Sequence, residues 1–210
     1  MYQIFGKRFL DLIVATIAFI LLSPLFFVVL ILLFIANKGS PFFFQQRPGK
    51  NEKIFNIIKF KTMNDAKDDQ GNLLPDTQRL TRIGGFVRKT SLDEMPQLLN
   101  VIKGDMSLIG PRPLFVRYLP YYTKREALRH SIKPGITGLA QVNGRNFLDW
   151  DSRLELDAQY VETISFMNDI KIALLTVKNV IARKDIAVVP GAIGKPLDIE
   201  RAKNETKITK

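Results

Sequence analysis

Two adjacent carboxylates, Asp93 and Glu94, are the residues of this chain best suited to chemistry. They lie in the sequence SLDEMPQLLNVIKG, which occupies residues 91–104. A regular helix that begins near Pro96 would leave both side chains just ahead of its amino-terminal end. That end of a helix stabilises anions, so a carboxylate stays ionised there and phosphate groups are also bound. An ionised aspartate can attack phosphorus and form an acyl-phosphate, as in other aspartyl-phosphate enzymes.

The same residues also have a purely structural interpretation. Ser91 and Glu94 have the spacing of a capping box, in which the hydroxyl and the carboxylate satisfy backbone amides at the start of a helix. Asp93 would then only complement the positive end of that helix. Both interpretations are open from these residues alone.

The negative charge of the acidic pair indicates that a divalent cation is needed to bind a diphosphate there. Two neighbouring carboxylates repel a diphosphate, and Mg²⁺ bridges carboxylate and phosphate oxygens, so we expect Mg²⁺ as cofactor with Asp93 as its ligand. The aspartates of residues 64–76 are interpreted as charges of a surface loop instead. The chain has no cysteine and one histidine, which excludes thiolate chemistry and argues against a histidine-rich metal site.

Basic and amide side chains are concentrated in the segments around the acidic pair. Arg88 precedes it, and Arg112 follows it between two prolines that stiffen the backbone. Arginine binds phosphate through two parallel hydrogen bonds, which makes such positions candidates for phosphate contacts. Each basic residue alone is usually a solvated charge, so only the concentration of several around one acidic pair favours a phosphate site.

The elements that must position these groups begin with an apolar segment. Residues 12–36 carry no charge, and a helix of this length would cross a hydrocarbon core of about 30 Å. Ser23 and Pro24 lie at its midpoint, where proline should bend or break the helix and the serine can satisfy exposed backbone groups. Basic residues flank both sides, which suits two cytoplasmic ends. A re-entrant helical hairpin and a proline-kinked spanning helix are both consistent with these residues.

The rest of the chain predicts a small α/β domain that is rich in helix. Aromatic and β-branched runs at residues 41–46 and 53–60 flank a Pro-Gly turn and predict a β-hairpin. Apolar periodicity predicts helices over residues 78–89, over residues 154–166, and from a cap at Asn168 onward.

Two further features concern the second half of the chain. Thr123 and Glu126 have capping-box spacing and predict a helix that carries His130 near its end, where a structural or exposed position is expected rather than a catalytic one. From Arg183 onward the chain is basic and poor in aromatic residues, which predicts a mobile tail.

The net charge of +11 favours polyanionic partners such as nucleic acid, anionic lipid headgroups or phosphorylated substrates. One alternative function is therefore a non-catalytic, membrane-anchored basic adaptor that binds anionic lipid or nucleic acid. That hypothesis explains the charge and the apolar segment. It assigns no function to Asp93 and Glu94.

Three blocks of the sequence resemble the signatures of a known family. They read KFKTM at residues 59–63, SLDEMPQLLNVIKGDMSLIGPRP at 91–113 and KPGITGLAQVNGR at 133–145. These blocks look like those of the bacterial sugar transferases, the small monotopic phosphoglycosyl transferases. The resemblance extends from residue 7 to about residue 186 and includes the central Ser-Pro pair of the apolar segment.

The resemblance implies a domain organisation and a location. Residues 1–38 would form a re-entrant membrane anchor, residues 39–186 a catalytic domain with a β-hairpin and interfacial amphipathic helices, and residues 187–210 a basic flexible tail. The catalytic domain would lie on the cytoplasmic face of the bacterial inner membrane.

The resemblance also implies a reaction. The chain would transfer a phosphosugar from a UDP-sugar to polyprenol phosphate, for example undecaprenyl phosphate, and release UMP in the first membrane step of glycoconjugate biosynthesis. Asp93 would be the covalent nucleophile, supported by Glu94, with Mg²⁺ required and no nucleic-acid partner. A rival mechanism joins both substrates in one ternary complex and uses the carboxylates only to hold metal. The expected phosphate or uridine contacts are Lys59, Arg88, Arg112, Gln141 and Arg145.

Overall fold

The computed structural model of the protein describes residues 2–144, 148–182 and 195–208. A π-helical turn at Tyr2–Gly6 leads into the first long helix. The helices and strands in chain order are α1 (Lys7–Ala36), β1 (Phe42–Pro48), β2 (Ile54–Phe60), α2 (Asp76–Arg79), α3 (Arg82–Lys89), α4 (Gln97–Lys103), β3 (Ser107–Ile109), β4 (Gly135–Thr137), α5 (Leu139–Val142), α6 (Trp150–Glu162), α7 (Phe166–Ile181) and α8 (Leu197–Ile208). Short 3-10 turns occupy Lys50–Glu52, Leu92–Glu94, Val116–Tyr121 and Glu126–His130.

The described strands form two small sheets within a fold that is mostly helical. β1 and β2 are antiparallel, with Phe42 opposite Phe60 and Pro48 opposite Ile54, which confirms the predicted β-hairpin. β3 and β4 pair in parallel. The predicted helix-rich α/β class is therefore confirmed.

Helix α1 runs without interruption through Pro24 over 30 residues. A helix of this length extends about 45 Å. This differs from the predicted hairpin of two helices: the proline removes only one donor from a long apolar helix, and the Ser23 hydroxyl donates to the carbonyl of Ile20 at 2.7 Å. The most apolar stretch of α1 has a mean hydropathy of 3.1, with 17% of it buried, so length and composition are sufficient to cross a membrane.

Both ends of α1 are tied to the same folded domain. Near the start of the helix, Asp11 accepts a hydrogen bond of 2.7 Å from the hydroxyl of Ser107 in β3. Just after its end, the Asn37 amide donates to the carbonyl of Lys61 at 2.6 Å. Between these points Phe26 packs on the β-hairpin. The apolar helix and the domain thus share one hydrophobic core.

A buried asparagine attaches α4 to the hairpin. Asn100 accepts a hydrogen bond of 3.0 Å from the amide of Ile58 and donates one of 2.8 Å to the carbonyl of Asn56. Its side chain therefore completes the backbone bonding of β2 from the side of α4. This contact fixes the start of α4, and with it the acidic pair, against the hairpin.

The helices of the second half begin three or four residues away from their predicted starts. α6 begins at Trp150 because the Asp149 carboxylate accepts from the amide of Ser152 at 2.7 Å and caps the helix. α7 is capped by Ser165, which accepts from the amide of Asn168 at 3.2 Å, so the prediction of Asn168 as the cap is wrong. The segment predicted as one helix over residues 78–89 is divided between α2 and α3.

The predicted capping box at Thr123 is present, and it starts a 3-10 turn. The Glu126 carboxylate accepts from the Thr123 amide at 2.7 Å, and the Thr123 hydroxyl accepts from the Glu126 amide at 3.3 Å. His130 ends this turn, buried beside the ring of Tyr122. Its position is structural, as expected.

Part of the segment predicted as a flexible tail is a packed helix. Leu197, at the start of α8, is fully buried, and Arg201 donates to both carboxylate oxygens of Glu126 at 2.6 and 2.7 Å. This differs from the prediction because one buried leucine and one ion pair are enough to attach a polar helix. The predicted boundary at residues 186 and 187 lies outside the described residues.

Candidate active site

The acidic pair lies on a 3-10 turn, Leu92–Glu94, just ahead of α4. Ser91 adopts a left-handed conformation with φ of 57° and makes no capping hydrogen bond. An N-cap residue normally has an extended backbone, so the capping-box interpretation of Ser91 is wrong. α4 begins at Gln97, directly after Pro96, which matches the predicted start.

Glu94 is held by two basic side chains. The ammonium of Lys59 donates to Oε1 at 2.8 Å, and Arg112 donates to both oxygens, with 3.3 Å between Nη1 and Oε2. Burial alone would raise the pKa of Glu94, but the charges of Arg112 and Lys59 and their hydrogen bonds bring that pKa well below its usual range. Glu94 is therefore a permanent anion whose charge is already compensated.

Asp93 is in the opposite situation. Its carboxylate makes no hydrogen bond and no ion pair with any residue that the structure describes. Burial and the neighbouring charge of Glu94 raise the pKa of Asp93 to about 6, although Lys59, Arg112 and Arg88 act against this shift. At pH 7 the group is still mostly ionised. The pair thus contains one engaged carboxylate and one that is available to a ligand.

Both carboxylates face a large cavity of about 1060 Å³. A cavity of this size accommodates a nucleotide-sized ligand. The predicted positions that line it are Lys59, Arg88, Asp93, Glu94, Arg112 and Gln141. The remaining predicted position, Arg145, lies outside the described residues. Residues predicted from three separate sequence blocks are therefore brought together at one site.

Arg88 reaches the cavity from α3, which packs unusually close to the end of β2. Its Nε donates to the hydroxyl of Thr62 at 2.8 Å, and its Nη2 lies 3.1 Å from the sulfur of Met63. A side chain at Gly84 would come within 1.9 Å of the Thr62 carbonyl oxygen, so only glycine permits this approach. The close packing holds the guanidinium where its charge acts on Asp93.

Arg112 and Gln141 are positioned by close backbone contacts between β3 and β4. A Cβ atom at Gly135 would lie 2.1 Å from the amide nitrogen of Gly110, so these glycines allow the strands to meet. The Gln141 amide donates to the Ile136 carbonyl at 2.8 Å, which leaves its buried oxygen without a partner among the described residues. This oxygen is an acceptor available to a ligand in the cavity.

The lining of the cavity includes an ion pair that was not predicted from the sequence. Arg129 lies 3.0 Å from Asp157, and both side chains are almost completely buried. Burial raises the pKa of Asp157 to about 6, against the charges of Arg129 and Arg153. The spacing of Arg153 and Asp157 within α6 was the available signal, because residues four apart share a helix face.

The cavity lining has apolar and polar parts. The aromatic residues that begin β1 and Leu22 of α1 are apolar, whereas Gln141, Asp157, Thr176 and Asn179 are polar. The site therefore offers surfaces to both an apolar and a polar ligand.

The site fits a metal that is held mainly by substrate. Within residues 2–144, 148–182 and 195–208, no three His, Cys, Asp or Glu side chains are close enough to form a metal centre. Mg²⁺ is commonly bound by one or two carboxylates together with substrate phosphates. The free carboxylate of Asp93 provides a donor of this kind.

Comparison with known proteins agrees with the geometry. Residues 2–183 match the family described as bacterial sugar transferase. The chain is 56% identical over 149 residues to the uncharacterized sugar transferase EpsL of Bacillus subtilis, an alignment that covers 70% of this chain and 74% of EpsL.

Two further relatives have names that state a reaction. The undecaprenyl-phosphate galactose phosphotransferase of Salmonella typhimurium is 38% identical over 197 residues, covering 85% of this chain and 41% of that protein. The UDP-glucose:undecaprenyl-phosphate glucose-1-phosphate transferase of Escherichia coli is 38% identical over 181 residues, covering 81% of this chain and 39% of that protein. The chain thus spans about two fifths of the length of these two relatives.

Proposed function

The chain belongs to the bacterial sugar transferase family, and we propose that it transfers a sugar phosphate from a UDP-sugar to polyprenol phosphate and releases UMP. The names of the Salmonella and Escherichia coli relatives state undecaprenyl phosphate as acceptor, and the second name states UDP-glucose as donor. We extend both features to this chain, which would act in the first membrane step of glycoconjugate biosynthesis. Membership of this family makes the chain a transferase. The alternative of a basic adaptor would leave the acidic pair without a role.

The observation that carries this proposal is the contrast between Asp93 and Glu94. Glu94 is compensated by Lys59 and Arg112, whereas Asp93 faces the cavity with no partner among the described residues. A nucleophile has to be ionised and accessible, and an electrostatic support has to be fixed in place. The two carboxylates satisfy these two different requirements.

In the first half of the reaction, an oxygen of Asp93 attacks the phosphorus that carries the sugar. The bond between this phosphorus and the bridging oxygen of the diphosphate breaks, and UMP leaves with that oxygen. Arg112 and Arg88 are basic groups beside the acidic pair that can hold the diphosphate oxygens. The phosphosugar is then attached to the carboxylate as an acyl-phosphate.

In the second half, a phosphate oxygen of the polyprenol phosphate attacks the same phosphorus. The bond between phosphorus and the Asp93 oxygen breaks, which restores the free carboxylate and yields a polyprenol diphosphosugar. Lys59 and Arg112 keep Glu94 compensated throughout, so the second carboxylate does not repel the incoming phosphate. Mg²⁺ bound to Asp93 and the donor phosphates would supply charge neutralisation at the diphosphate.

The contacts of α1 support a re-entrant arrangement at the cytoplasmic face of the inner membrane. Asp11 and Asn37 bond to one domain from opposite ends of the helix, which favours two ends on the same side of the bilayer. Basic residues flank the apolar stretch on both sides, as expected for two cytoplasmic ends. The apolar side chains of α1 that face away from the domain would then enter one leaflet.

Helix α7 supports the predicted contact of amphipathic helices with the membrane surface. One face of the helix is buried at Ile172, and several large apolar side chains on other faces are exposed. Exposed apolar stripes on a helix suit insertion at the level of the lipid headgroups. The exposed residues are Phe166, Met167, Leu174, Val177 and Ile181.

The test of the reaction is to trap the intermediate on the full-length chain in lipid nanodiscs. The protein is incubated with Mg²⁺ and UDP-sugars labelled in the sugar phosphate, without a lipid acceptor. We expect label on the protein, mapped to Asp93 by mass spectrometry, and its transfer to lipid when undecaprenyl phosphate is added. The Asp93→Asn variant should take up no label, whereas the exposed-loop variant Asp69→Asn should behave as the parent chain.

Two results would contradict the proposal at different levels. Full turnover by the parent chain without any trapped label would favour the ternary-complex mechanism, in which the carboxylates only hold metal. No release of UMP from any of a panel of UDP-sugars in the presence of acceptor would overturn the assigned reaction.

A further inference from the structure

Arg47 lines the active-site cavity from the end of β1 and is held in a fixed orientation. Its guanidinium carbon lies 3.9 Å from the centre of the Phe115 ring, which is the arrangement of a cation–π contact. One terminal nitrogen donates to the side-chain oxygen of Gln45 at 2.5 Å. The guanidinium is therefore oriented by neutral groups.

No carboxylate compensates the charge of Arg47. Among the described residues, none lies within ion-pair distance of it, and its buried Nε has no hydrogen-bond partner. Arg112 and Arg129, by contrast, are paired with Glu94 and Asp157. Burial and the nearby charge of Arg112 lower the pKa of Arg47 to about 10, so the group is still charged at neutral pH. A partly buried cation without a counter-ion is a strong site for an anion.

The charge of the whole cavity has the same sign. Within the described part of the chain, eight basic and five acidic side chains line it, which leaves three positive charges uncompensated. A nucleoside diphosphosugar brings two negative charges on adjacent phosphates. Arg47 is a basic residue of this lining whose printed contacts are with the neutral side chains of Gln45 and Phe115.

The register of the hairpin separates Arg47 from the aromatic start of β1. Phe43, Gln45 and Arg47 lie on one face of β1, and Phe43 is opposite Lys59, which contacts Glu94. The four-residue step from Phe43 to Arg47 corresponds to about 13 Å along the strand. Arg47 is thus separated from Phe43, and it is near enough to Arg112 for the charge of Arg112 to act on it.

We propose that Arg47 binds the diphosphate of the donor nucleotide and orients it, together with Arg112, for attack by Asp93. This proposal rests on the proposed transferase function and assigns a part of the cavity lining to the donor. The polyprenol chain is apolar, and Leu22 and the aromatic start of β1 are the part of the lining that suits it.

The test separates nucleotide binding from catalysis. The Kd of UDP is measured by calorimetry on the full chain in nanodiscs, for the parent and for Arg47→Met and Arg47→Lys. Loss of a charge-assisted contact to phosphate should raise this Kd about tenfold to a hundredfold in Arg47→Met, with a smaller rise in Arg47→Lys, which keeps the charge without the planar fork. The matched control Arg82→Met, in which an exposed arginine outside the cavity is changed, should leave the Kd unaltered.

Steady-state kinetics distinguish the donor from the lipid. Arg47→Met should raise KM for the UDP-sugar and leave KM for a short polyprenyl phosphate within about twofold. An unchanged Kd for UDP in a parent chain that turns over would overturn the role of Arg47 and leave the transferase function intact. A raised KM for the polyprenyl phosphate alone would assign Arg47 to the acceptor and also overturn the proposal. Failure of the parent chain to bind UDP and to turn over would instead reject the transferase function itself.

A second variant tests the support of the guanidinium without changing its charge. Phe115→Leu removes the ring on which Arg47 rests. We expect it to raise the Kd of UDP severalfold in the parent chain and to have little added effect in Arg47→Met. Equal effects in both backgrounds would show that Phe115 acts independently of Arg47 and would count against the proposal.

Discussion

Arg129 and Asp157 form an ion pair of 3.0 Å directly behind the active-site arginine Arg112, with only 2% and 3% of the two side chains exposed. Arg129 also donates to the backbone carbonyl of Arg112. The pair therefore joins α6 to the backbone that carries a predicted phosphate ligand. The position of the Arg112 backbone therefore depends on a buried ion pair in which Arg112 itself takes no part.

Replacing Asp157 with alanine should destabilise the protein by about 3–5 kcal/mol, because it leaves the Arg129 charge buried without a partner. Thermal unfolding in detergent, followed by intrinsic fluorescence, measures the shift. The double variant Asp157→Leu with Arg129→Met should recover much of the loss, since an apolar pair can replace a buried ion pair. A double variant no more stable than Asp157→Ala would contradict this account.

Glu94→Gln should lower kcat roughly tenfold to a hundredfold, because Lys59 and Arg112 lose the charged acceptor that fixes them. The amide keeps the size of the side chain, so membrane association should be unchanged. Rates of UMP release and flotation with liposomes test the two parts. Asp105→Asn, a change outside the cavity lining, serves as the control.

His130 should make stability depend on pH below neutrality. Burial and the charge of Arg129 lower the pKa of His130 to about 4 in the folded chain, although a hydrogen bond with the backbone of Gly49 acts against this. The unfolded chain, with a pKa near 6.5, then binds more protons between these values, so stability is lost as pH falls from 6.5 towards 4. At pH 5 the expected loss from this group is about 2 kcal/mol.

Thermal unfolding from pH 4.5 to 7.5 measures this dependence. Carboxylates titrate in the same range, so the informative quantity is the difference between the parent chain and His130→Gln. The variant should show a shallower slope above pH 5. Parallel curves would exclude the histidine as the source.

Arg201→Met should lower stability by about 1–3 kcal/mol, because the Glu126 carboxylate loses its bidentate partner in a largely buried position. Thermal unfolding measures the loss. The neighbouring exposed variant Glu200→Gln is the matched control and should unfold as the parent chain does. An unchanged unfolding temperature in Arg201→Met would mean that α8 does not attach to the domain in solution.

The topology of α1 can be tested directly because the chain has no cysteine. Single cysteines are introduced at Phe5 and Lys38, which flank the apolar helix, and are labelled in inverted and right-side-out vesicles. A re-entrant helix predicts that a membrane-impermeant maleimide reacts with both positions from the cytoplasmic side only. Labelling of the two positions from opposite sides would establish a spanning helix instead.

The sequence predicts which residues lie together at the candidate site because most of them belong to contiguous blocks. Pro96 marks the start of α4, so the location of Asp93 and Glu94 ahead of that helix follows from local rules. The β-hairpin is likewise specified by alternating strands around a Pro-Gly turn. Lys59 and Arg112 were predicted as phosphate contacts, and their pairing with Glu94 became visible only in the structure.

The missed features depend on contacts between distant parts of the chain. Arg129 and Asp157 are on different elements, and the spacing of Arg153 and Asp157 indicates a shared helix face but does not point to Arg129. Arg47 adjoins the predicted Pro-Gly turn, and its spacing gives no sign that it lines a cavity. The cap of α7 was misplaced by three residues because Ser165 and Asn168 are both good capping residues. Arg201 attaches α8 through a specific ion pair, which a composition low in aromatic residues does not reveal.

The core that α1 shares with the hairpin determines where the chain can be truncated without exposing apolar surface. Phe26, Val29 and Leu33 pack with Ile57 and Phe60 in one cluster, so the predicted limit between residues 38 and 39 is not a folding boundary. Removing the first 38 residues would leave an apolar surface on the hairpin exposed to water. Truncation of α1 is therefore not a route to a water-soluble form of the chain. Replacing the exposed leucines, isoleucines and phenylalanines of this helix with polar residues would keep the interior intact.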